Sequence, residues 1–443
     1  MKSSSIPIGV CLLTLALACA SREVGRTRIV AQEVHYDLSE STLEDLADDP
    51  ETLGELDGVL EELFGNPGEQ RFALLDSWSA TGFDPNGVPF DGSRWDFDLE
   101  GMDIEALREG NRISWAAELA AIENGDADLI GPFAGRRAMS TAWQELLAER
   151  DDLGPERFRA QAESFFVDHY PDLAEGADLF GAYCSRCHGR DGHGDGPMSA
   201  NLVPRPRDYR RGVFKFAAVD NASKPRRYDL MRTLLYGLPG SAMPSFIRLT
   251  DAELNALIDH VRLLSIRGEV EAILVAEWLD RDVPPLEARD EIYELVWSRW
   301  LEAADYGIAF TAPEPDPDPR RLELGREIFH DEQGGNCFSC HGAEGRGDGI
   351  RAIQTDAAGD RSALLQDEWG NFILPRDLSL GIFRGGERRE DIYMRVYCGI
   401  PGTPMPRIGS SLDAEGNPLL SEEETWALVD YVLSLSGKGP LAN

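Results

Sequence analysis

Apolar residues recur at helical spacing in several separate stretches of this 443-residue chain. Residues 250–266 and 421–435 each begin with a Thr or Ser that can cap a helix, and each carries an apolar residue every three or four positions. The same spacing predicts helices over 42–64, 115–122 and 139–150, and a helical hairpin over 270–279 and 287–304. The chain is therefore predicted to be mainly α.

The second half of the chain repeats itself. Matching segments occur in the same order: 187–196 with 340–349, 205–214 with 374–383, 226–244 with 388–406, and 251–261 with 422–432. The offset varies between 153 and 171 residues, so elements are kept while loops differ. This pattern indicates a duplicated domain. We place the first repeat at 173–267 and the second at 320–437. Between them lies a helical linker over 268–319 that ends in an acidic, proline-rich run.

Charge divides the chain in a different way. The 79 acidic and 43 basic residues give a formal net charge of −36, which excludes a general nucleic-acid binder. Residues 19–172 carry −23 of it, whereas residues 201–232 carry +6. The acidic, mostly helical region 19–172 therefore has a different composition from the repeats. We expect it either to dock a partner or sister subunit, with aromatic residues such as Trp78 and Trp95, or to form a solvated cap over the first repeat.

The N-terminus is typical of an export signal. Lys2 precedes an apolar run over 6–18, which is too short to cross a bilayer as a mature helix. Small residues before Cys19 resemble a bacterial lipoprotein cleavage site, although Leu17 stands one place later than usual. We therefore expect residues 1–18 to be a signal peptide and Cys19 to carry a lipid anchor, with ordinary cleavage near Ala18 or Ala20 as the alternative.

Four cysteines occur in two identical frames, one in each repeat. These are Cys184-Ser-Arg-Cys187-His188 and Cys337-Phe-Ser-Cys340-His341. C-x-x-C-H is the c-type haem attachment motif: two thiols add to the two vinyl groups of one porphyrin edge, and the adjacent histidine points at the iron. A pair of disulfides or a zinc site is the competing interpretation. Zinc would need ligands from both motifs to converge, yet each motif has its own downstream partner segments.

These residues resemble the class I c-type cytochromes, fused in tandem. The resemblance implies two haem c groups, with Met243 and Met405, each set among glycine and proline, as the second iron ligands opposite His188 and His341. It implies that Gly176 and Phe180, and likewise Gly325 and Phe329, pack against the last helix of each domain. It also implies a backbone carbonyl partner for each proximal histidine, at Pro197 in the first repeat and Ile350 in the second, so ring orientation at the second haem is expected to differ.

Other residues receive more ordinary interpretations. His260 and Tyr431 occupy matching ring positions, which favours packing over ligation, and His193 and His330 are expected at the surface. Cys398 is interpreted as a buried filler, with a switch ligand competing with Met405 as the alternative. The Pro-Arg-Asp triplet recurs in both repeats, so Arg207 and Arg376 are predicted to contact haem propionates. A basic face that steers an acidic partner is the other use of this segment.

The predicted function is electron transfer by an exported, membrane-tethered di-haem cytochrome c. With histidine and methionine on each iron, the protein would relay single electrons between a redox donor and an acceptor, such as a membrane oxidase or dehydrogenase complex. The alternative is a bacterial di-haem cytochrome c peroxidase, which needs one open iron position and is disfavoured by the methionine in both repeats. A third interpretation is a subunit that wires a larger complex, held together by the N-terminal region.

Overall fold

The computed structural model describes residues 36–75 except 68 and 74, residue 157, residues 173–303 except 220–223 and 250, residue 307, and residues 318–437 except 333, 357, 410, 413–415 and 417. All of these belong to one compact unit, 35–443. The export signal, Cys19, the helices predicted over 115–122 and 139–150, and the aromatic residues Trp78 and Trp95 lie outside the described residues. Within the described part of the chain, no helix is both long and apolar enough to cross a bilayer.

The described residues are mainly helical. The helices are α1 (Glu40–Asp45), α2 (Pro50–Phe64), α3 (Leu173–Tyr183), α4 (Ser185–His188), α5 (Arg227–Tyr236), α6 (Asp251–Arg281), α7 (Pro285–Leu301), α8 (Pro319–His330), α9 (Phe338–His341), α10 (Arg389–Cys398) and α11 (Glu422–Ser434). Three short antiparallel pairs join β1 (Gly65–Asn66) to β2 (Glu69–Gln70), β3 (Ile353–Thr355) to β4 (Arg361–Ala363), and β5 (Leu365–Gln366) to β6 (Phe372–Ile373). The prediction of a mainly α fold is confirmed.

The first and last helices of each repeat cross at a glycine. In the first repeat, Gly176 on α3 lies directly against the carbonyl of Ala256 on α6; in the second, Gly325 on α8 lies against the carbonyl of Ala427 on α11. A Cβ at either glycine would overlap that carbonyl, so only glycine allows the backbones to come this close. The expected packing of Gly176 and Gly325 against the last helices is confirmed.

An aromatic pair locks each crossing. The ring of Phe180 lies 4.9 Å from His260, and the ring of Phe329 lies 5.3 Å from Tyr431. His260 is only 3% exposed, and its Nδ1 lies 3.2 Å from Oε1 of Gln70 in β2. The interpretation of His260 as a packing residue rather than a ligand agrees with this placement.

A third helix in each repeat, α5 or α10, is anchored at its start by a buried carboxylate. Asp229 accepts from the backbone N–H of Arg226 at 2.9 Å, and Asp391 accepts from that of Arg388 at 3.1 Å. In the second repeat, Arg389 also forms a 2.8 Å ion pair with the buried Asp430 of α11. These caps fix where α5 and α10 begin, and each helix ends at a glycine that begins a methionine loop.

The linker after the first repeat begins as a continuation of the last helix of that repeat. α6 continues without interruption from residue 251 to residue 281, where the sequence predicts two helices separated near residue 268. Its segment over 262–275 is almost entirely buried, because α7 packs back along it and α2 covers both. The first part of α6 packs on the haem domain, whereas its later part packs on α7 and α2. The apolar side of the helix therefore shifts along its length, and in the sequence this shift resembles the end of one helix and the start of another.

Part of the acidic N-terminal region packs on α6 and α7. Phe64 of α2 lies 5.5 Å from the ring of Tyr293 on α7. The buried carboxylate of Glu271 accepts from Ser39 N at 2.7 Å, from Thr42 Oγ1 at 2.8 Å and from Arg267 at 3.2 Å. Residues 36–75 thus form a cap joined to α6 and α7, which supports the cap interpretation for this segment. The single predicted helix over 42–64 is two helices, because Pro50 starts a new one behind its cap Asp49.

The second repeat differs from the first by an insertion. The two hairpins β3–β4 and β5–β6 lie between the second attachment motif and its Pro-Arg-Asp triplet. They account for the increase of the repeat offset from 153 to 169 residues.

His260 makes the first repeat sensitive to acid. Burial lowers the pKa of His260 to about 3, whereas a histidine in an unfolded chain titrates near 6.5. As the pH falls below 6.5, the unfolded chain takes up the proton first, so the free energy of unfolding falls by about 2–3 kcal/mol between pH 7 and pH 4.5. We expect His260→Tyr, which copies Tyr431, to remove this part of the acid sensitivity. Urea unfolding followed by circular dichroism at both pH values measures it. An equal loss in wild type and variant would contradict the assignment.

Candidate functional site

Both C-x-x-C-H motifs fold into a single helical turn. The backbone amide of His188 donates to the carbonyl of Cys184 at 2.9 Å, and that of His341 donates to Cys337 at 2.8 Å. The two thiols and the imidazole of each motif therefore project from the same turn, as attachment along one porphyrin edge requires. Each turn ends at a glycine with a positive φ, of 77° at Gly189.

Each proximal histidine is oriented by the carbonyl of an arginine. His188 Nδ1 lies 3.2 Å from the carbonyl oxygen of Arg207, and His341 Nδ1 lies 3.3 Å from that of Arg376. A carbonyl only accepts, so Nδ1 carries the proton and donates it, which leaves the Nε2 lone pair available to a metal. The signal in the sequence was the recurring Pro-Arg-Asp triplet, which we interpreted through its side chain rather than its backbone.

The expected acceptors at Pro197 and Ile350 are therefore wrong. Both residues are exposed, and Ile350 is 83% exposed. The loop after each motif is too tight to return its own carbonyl to the histidine: Gly194 donates to the carbonyl of His188 at 2.8 Å and turns the chain away. We expected ring orientation at the second haem to differ. Instead, the backbone carbonyl of an arginine orients the proximal histidine in both repeats.

Burial sets the protonation of the site. It lowers the pKa of His188 to about 4, with a smaller contribution from the Arg207 cation, and it lowers the pKa of His341. Both imidazoles are thus neutral at neutral pH, which is the state that binds a metal. Burial also raises the pKa of the Cys184 and Cys337 thiols to about 12.

The two methionine loops have the same backbone structure. Met243 accepts from the N–H of Leu238 at 3.1 Å, and its own N–H donates to Ser241 Oγ at 3.2 Å. Met405 accepts from Ile400 at 3.3 Å and donates to Thr403 Oγ1 at 3.3 Å. Both methionine side chains are half-buried. A methionine held by a built loop, rather than placed on a helical stripe, is better suited to a ligand than to a core filler.

One pocket joins the elements of the first site. Its wall contains Cys184, Cys187, His188, Met243 and Arg207, which are all the residues predicted for the first haem. Much of the remaining wall is apolar: Phe180, Leu230, Leu234, Leu257, Ile258 and Val261. Two thiols, a neutral imidazole with Nδ1 engaged, a thioether sulfur and an apolar wall fit a covalently attached haem. In the second repeat, the matching backbone contacts of His341 and Met405 fit the same group.

Tyr209 is a pocket residue that the sequence did not single out. Its ring stacks on His188 with centroids 4.6 Å apart, and its hydroxyl lies 3.0 Å from His188 Nε2. It follows directly after the Pro-Arg-Asp triplet. The second repeat has Leu378 in this place, so the two repeats differ at the residue that stacks on the proximal histidine of the first.

The two arginines of the triplets point across the repeats. The Arg207 guanidinium lies 3.7 Å above the ring of Trp369 and 3.8 Å from Oδ2 of Asp367, both in the insertion of the second repeat. Arg376 Nε donates to the carbonyl of Ile382 at 2.8 Å, and its Nη2 reaches Gly240 of the first repeat, where a Cβ would lie 2.5 Å away. Propionate contacts of Arg207 and Arg376 stay predictions. Trp369 and Asp367 were missed because their partners are distant in sequence.

The remaining histidines and Cys398 are placed as follows. His193 is not a surface residue as expected: its side chain is 18% exposed and its Nδ1 lies 3.9 Å from the carboxylate of Asp195. The Gly-rich loop folds it inward. The ring nitrogens of His330 lie 2.8 Å and 2.9 Å from two backbone carbonyls at the end of α8 and after α9. Cys398 is 1% exposed and packs with Ala218 and Met394, as expected for a buried filler.

Gly347 determines how closely the second acceptor carbonyl approaches its histidine. It has a φ of 72°, and a Cβ there would lie 2.5 Å from the carbonyl oxygen of Pro375, the residue before Arg376. We expect Gly347→Ala to displace this segment from His341. The free energy of unfolding should fall by about 1–2 kcal/mol for the left-handed backbone and by a further 1–3 kcal/mol for the overlap.

Gly359→Ala is the matched control, because Gly359 has a φ of 90° but nothing within 4 Å of the position of its Cβ. It should lose only the backbone contribution, and urea unfolding measures both. Equal losses in the two variants would show that the approach of Pro375 does not constrain the site.

Comparison with known proteins agrees with the two repeats. Residues 171–261 match the family model of cytochrome c oxidase, cbb3-type, subunit III, and residues 322–436 match the family model of cytochrome c. A solved chain from the Kuenenia stuttgartiensis reducing HAO-like protein complex is 29% identical, covers 59% of this chain and 95% of its own length, and has a TM-score of 0.44. A comparison with curated proteins finds no match. The two family models therefore identify a tandem pair of class I c-type cytochrome domains in this chain, one in each repeat.

Proposed function

We propose that this protein is a di-haem electron carrier that relays single electrons between a redox donor and an acceptor in an exported respiratory chain or oxidoreductase complex. Haem-based electron transfer follows from the two cytochrome c domains. The observation that supports the finer proposal is the first pocket, whose lining includes Cys184, Cys187, His188 and Met243. Cys337, Cys340, His341 and Met405 are proposed to act in the same way in the second repeat.

In this proposal, side chains of the protein supply a histidine and a methionine to each haem iron. Bound haem supplies an iron that gains and loses one electron. His188 and Met243 in the first repeat, and His341 and Met405 in the second, would hold the iron of each haem and leave no position open to oxygen or peroxide. Thioether ligation favours the reduced iron and so raises the reduction potential. The apolar wall keeps water from the site, which strengthens the electrostatic contribution of nearby charges. Together these features favour electron transfer over chemistry on a bound substrate.

The peroxidase-like enzyme is the alternative function. It requires one haem with an open axial position and an acid–base residue above it. The matching backbone contacts of the Met243 and Met405 loops count against it, since both loops are built to hold a methionine. A high-spin component that reacts with peroxide would favour the enzyme.

Absorption spectra of ligand variants test the proposed ligands. We expect the purified protein to contain two haems by mass and to show the near-infrared methionine-to-iron band in its oxidised form. Met243→Ala and Met405→Ala should each remove about half of that band's intensity, because each removes one sulfur ligand. Met198→Ala is the control, since this half-exposed methionine lies outside the pocket wall. A band of full strength in both ligand variants would overturn the assignment.

We propose that the protein is exported and tethered by a lipid at Cys19, with donor and acceptor at the same membrane. The support is the sequence at residues 2–21. We expect Cys19→Ser to move the protein from the membrane fraction to the soluble exported fraction, because the lipid is the proposed attachment. Cys11→Ser, within the apolar run, is the control and should leave the distribution unchanged. Membrane retention of Cys19→Ser would contradict the anchor.

A further inference from the structure

The arginine that orients His188 is held by the other repeat. The Arg207 carbonyl accepts from His188 Nδ1, while its guanidinium stacks 3.7 Å above Trp369. Trp369 and Asp367 belong to the turn between β5 and β6, in the insertion that only the second repeat carries. Trp369 of the second repeat therefore holds the side chain of Arg207 in place. The backbone carbonyl of the same arginine orients His188, the proximal histidine of the first repeat.

The contact recurs in the opposite direction. The Arg376 carbonyl accepts from His341 Nδ1, and its guanidinium lies at Gly240 in the Met243 loop of the first repeat, where a Cβ would be 2.5 Å from Nη2. Arg384, also of the second repeat, donates to the carbonyl of Gly240 at 3.5 Å and forms part of the first pocket's wall. Two arginines of the second repeat thus contact the methionine loop of the first.

Asp367 places one carboxylate between two cations at this boundary. Its Oδ2 lies 3.8 Å from Arg207 Nη1 and 3.4 Å from Lys215 Nζ, while its Oδ1 accepts from the backbone N–H of Trp369 at 3.2 Å and of Asn371 at 3.0 Å. Asp367, Lys215 and Arg207 are all largely buried, with side-chain exposures of 4%, 14% and 15%. Charges in such surroundings act at longer range than at a wetted surface.

Two cations, Arg207 and Lys215, face the single carboxylate of Asp367 at this boundary. Burial, followed by the Arg207 cation, lowers the pKa of Lys215 to about 8, although Asp367 opposes the shift. Burial lowers the pKa of Arg207 to about 10. The positive charge of Arg207 at the first pocket therefore depends on Asp367 for compensation and on Trp369 for position.

We propose that Asp367 and Trp369 are positioning residues through which the second repeat sets the reduction potential of the first haem. This inference rests on the proposed function, because it requires a haem at His188. The second repeat acts on Arg207 by two separable means: Asp367 neutralises part of its charge, and Trp369 keeps the guanidinium at the pocket. The two domains thus form one coupled redox unit rather than two carriers on one chain.

Substitutions of Asp367 and of Trp369 should shift the reduction potential of the first haem in opposite directions. Asp367→Asn removes a negative charge while its amide oxygen can still cap the turn, so the first haem should favour the reduced state by about threefold, a rise of about 30 mV at 59 mV per tenfold for one electron. Trp369→Ala releases the guanidinium towards solvent, so the potential of the first haem should fall. Trp369→Phe keeps the stacking and should restore the wild-type value.

The measurement is a redox titration of the full chain at pH 6, where Lys215 remains protonated. Proton NMR follows each iron through its ligand methionine methyl group, and Met243→Ala assigns the first site. Phe372→Ala is the control, because this 67% exposed ring lies in the same insertion. Unmoved potentials in Asp367→Asn and Trp369→Ala, with intact methionine ligation, would overturn the coupling alone. Absence of haem or of methionine ligation in the unmodified protein would instead contradict the proposed function.

Discussion

A histidine presents Nε2 to a metal only while its Nδ1 keeps its proton and a fixed acceptor. The two repeats meet this requirement with the carbonyls of Arg207 and Arg376. The surrounding structure brings these carbonyls close: glycines remove the Cβ atoms that would overlap Pro206 and Pro375, and burial keeps the imidazoles neutral. The short attachment helices, the glycine-rich loops and the triplets therefore serve one hydrogen bond in each repeat.

The helix crossings provide the frame for that bond. α3 with α6, and α8 with α11, approach until glycine meets carbonyl, and this closeness is possible only because Gly176 and Gly325 lack a side chain. The attachment turn follows the first helix of each pair along the chain, directly in the first repeat and after a short loop in the second. Its position relative to the apolar wall on the last helix is thus fixed by the crossing, and the ring pairs at His260 and Tyr431 resist sliding.

Residues close in sequence, or repeated in it, were predictable. The attachment motifs, the methionine loops and the Gly–aromatic pairs recur at matching places, and recurrence separates a shared constraint from chance. The acceptor carbonyls were not predictable, because every residue has a carbonyl and only the path of the chain selects one. The continuous α6 was missed because burial by α2 and α7 changes the apolar face along it. Trp369 and Asp367 were missed because their partners lie about 150 residues away and their insertion has no counterpart in the first repeat.

The ion pairs of the basic segment over 201–232 change how its charge is interpreted. From sequence, its +6 charge suggested either propionate contacts or a face that steers an acidic partner. In the structure, carboxylates from other segments meet many of these cations: Arg227 with Asp259, Lys224 with Glu269, Arg232 with Asp391, and Arg207 and Lys215 with Asp367. Buried pairs of this kind rarely add much net stability, since desolvation offsets attraction, but removing one partner is costly. Their effect is to specify which surfaces meet. The segment therefore connects α6 to the second repeat through buried ion pairs, and the charge at the first haem pocket depends on these pairs.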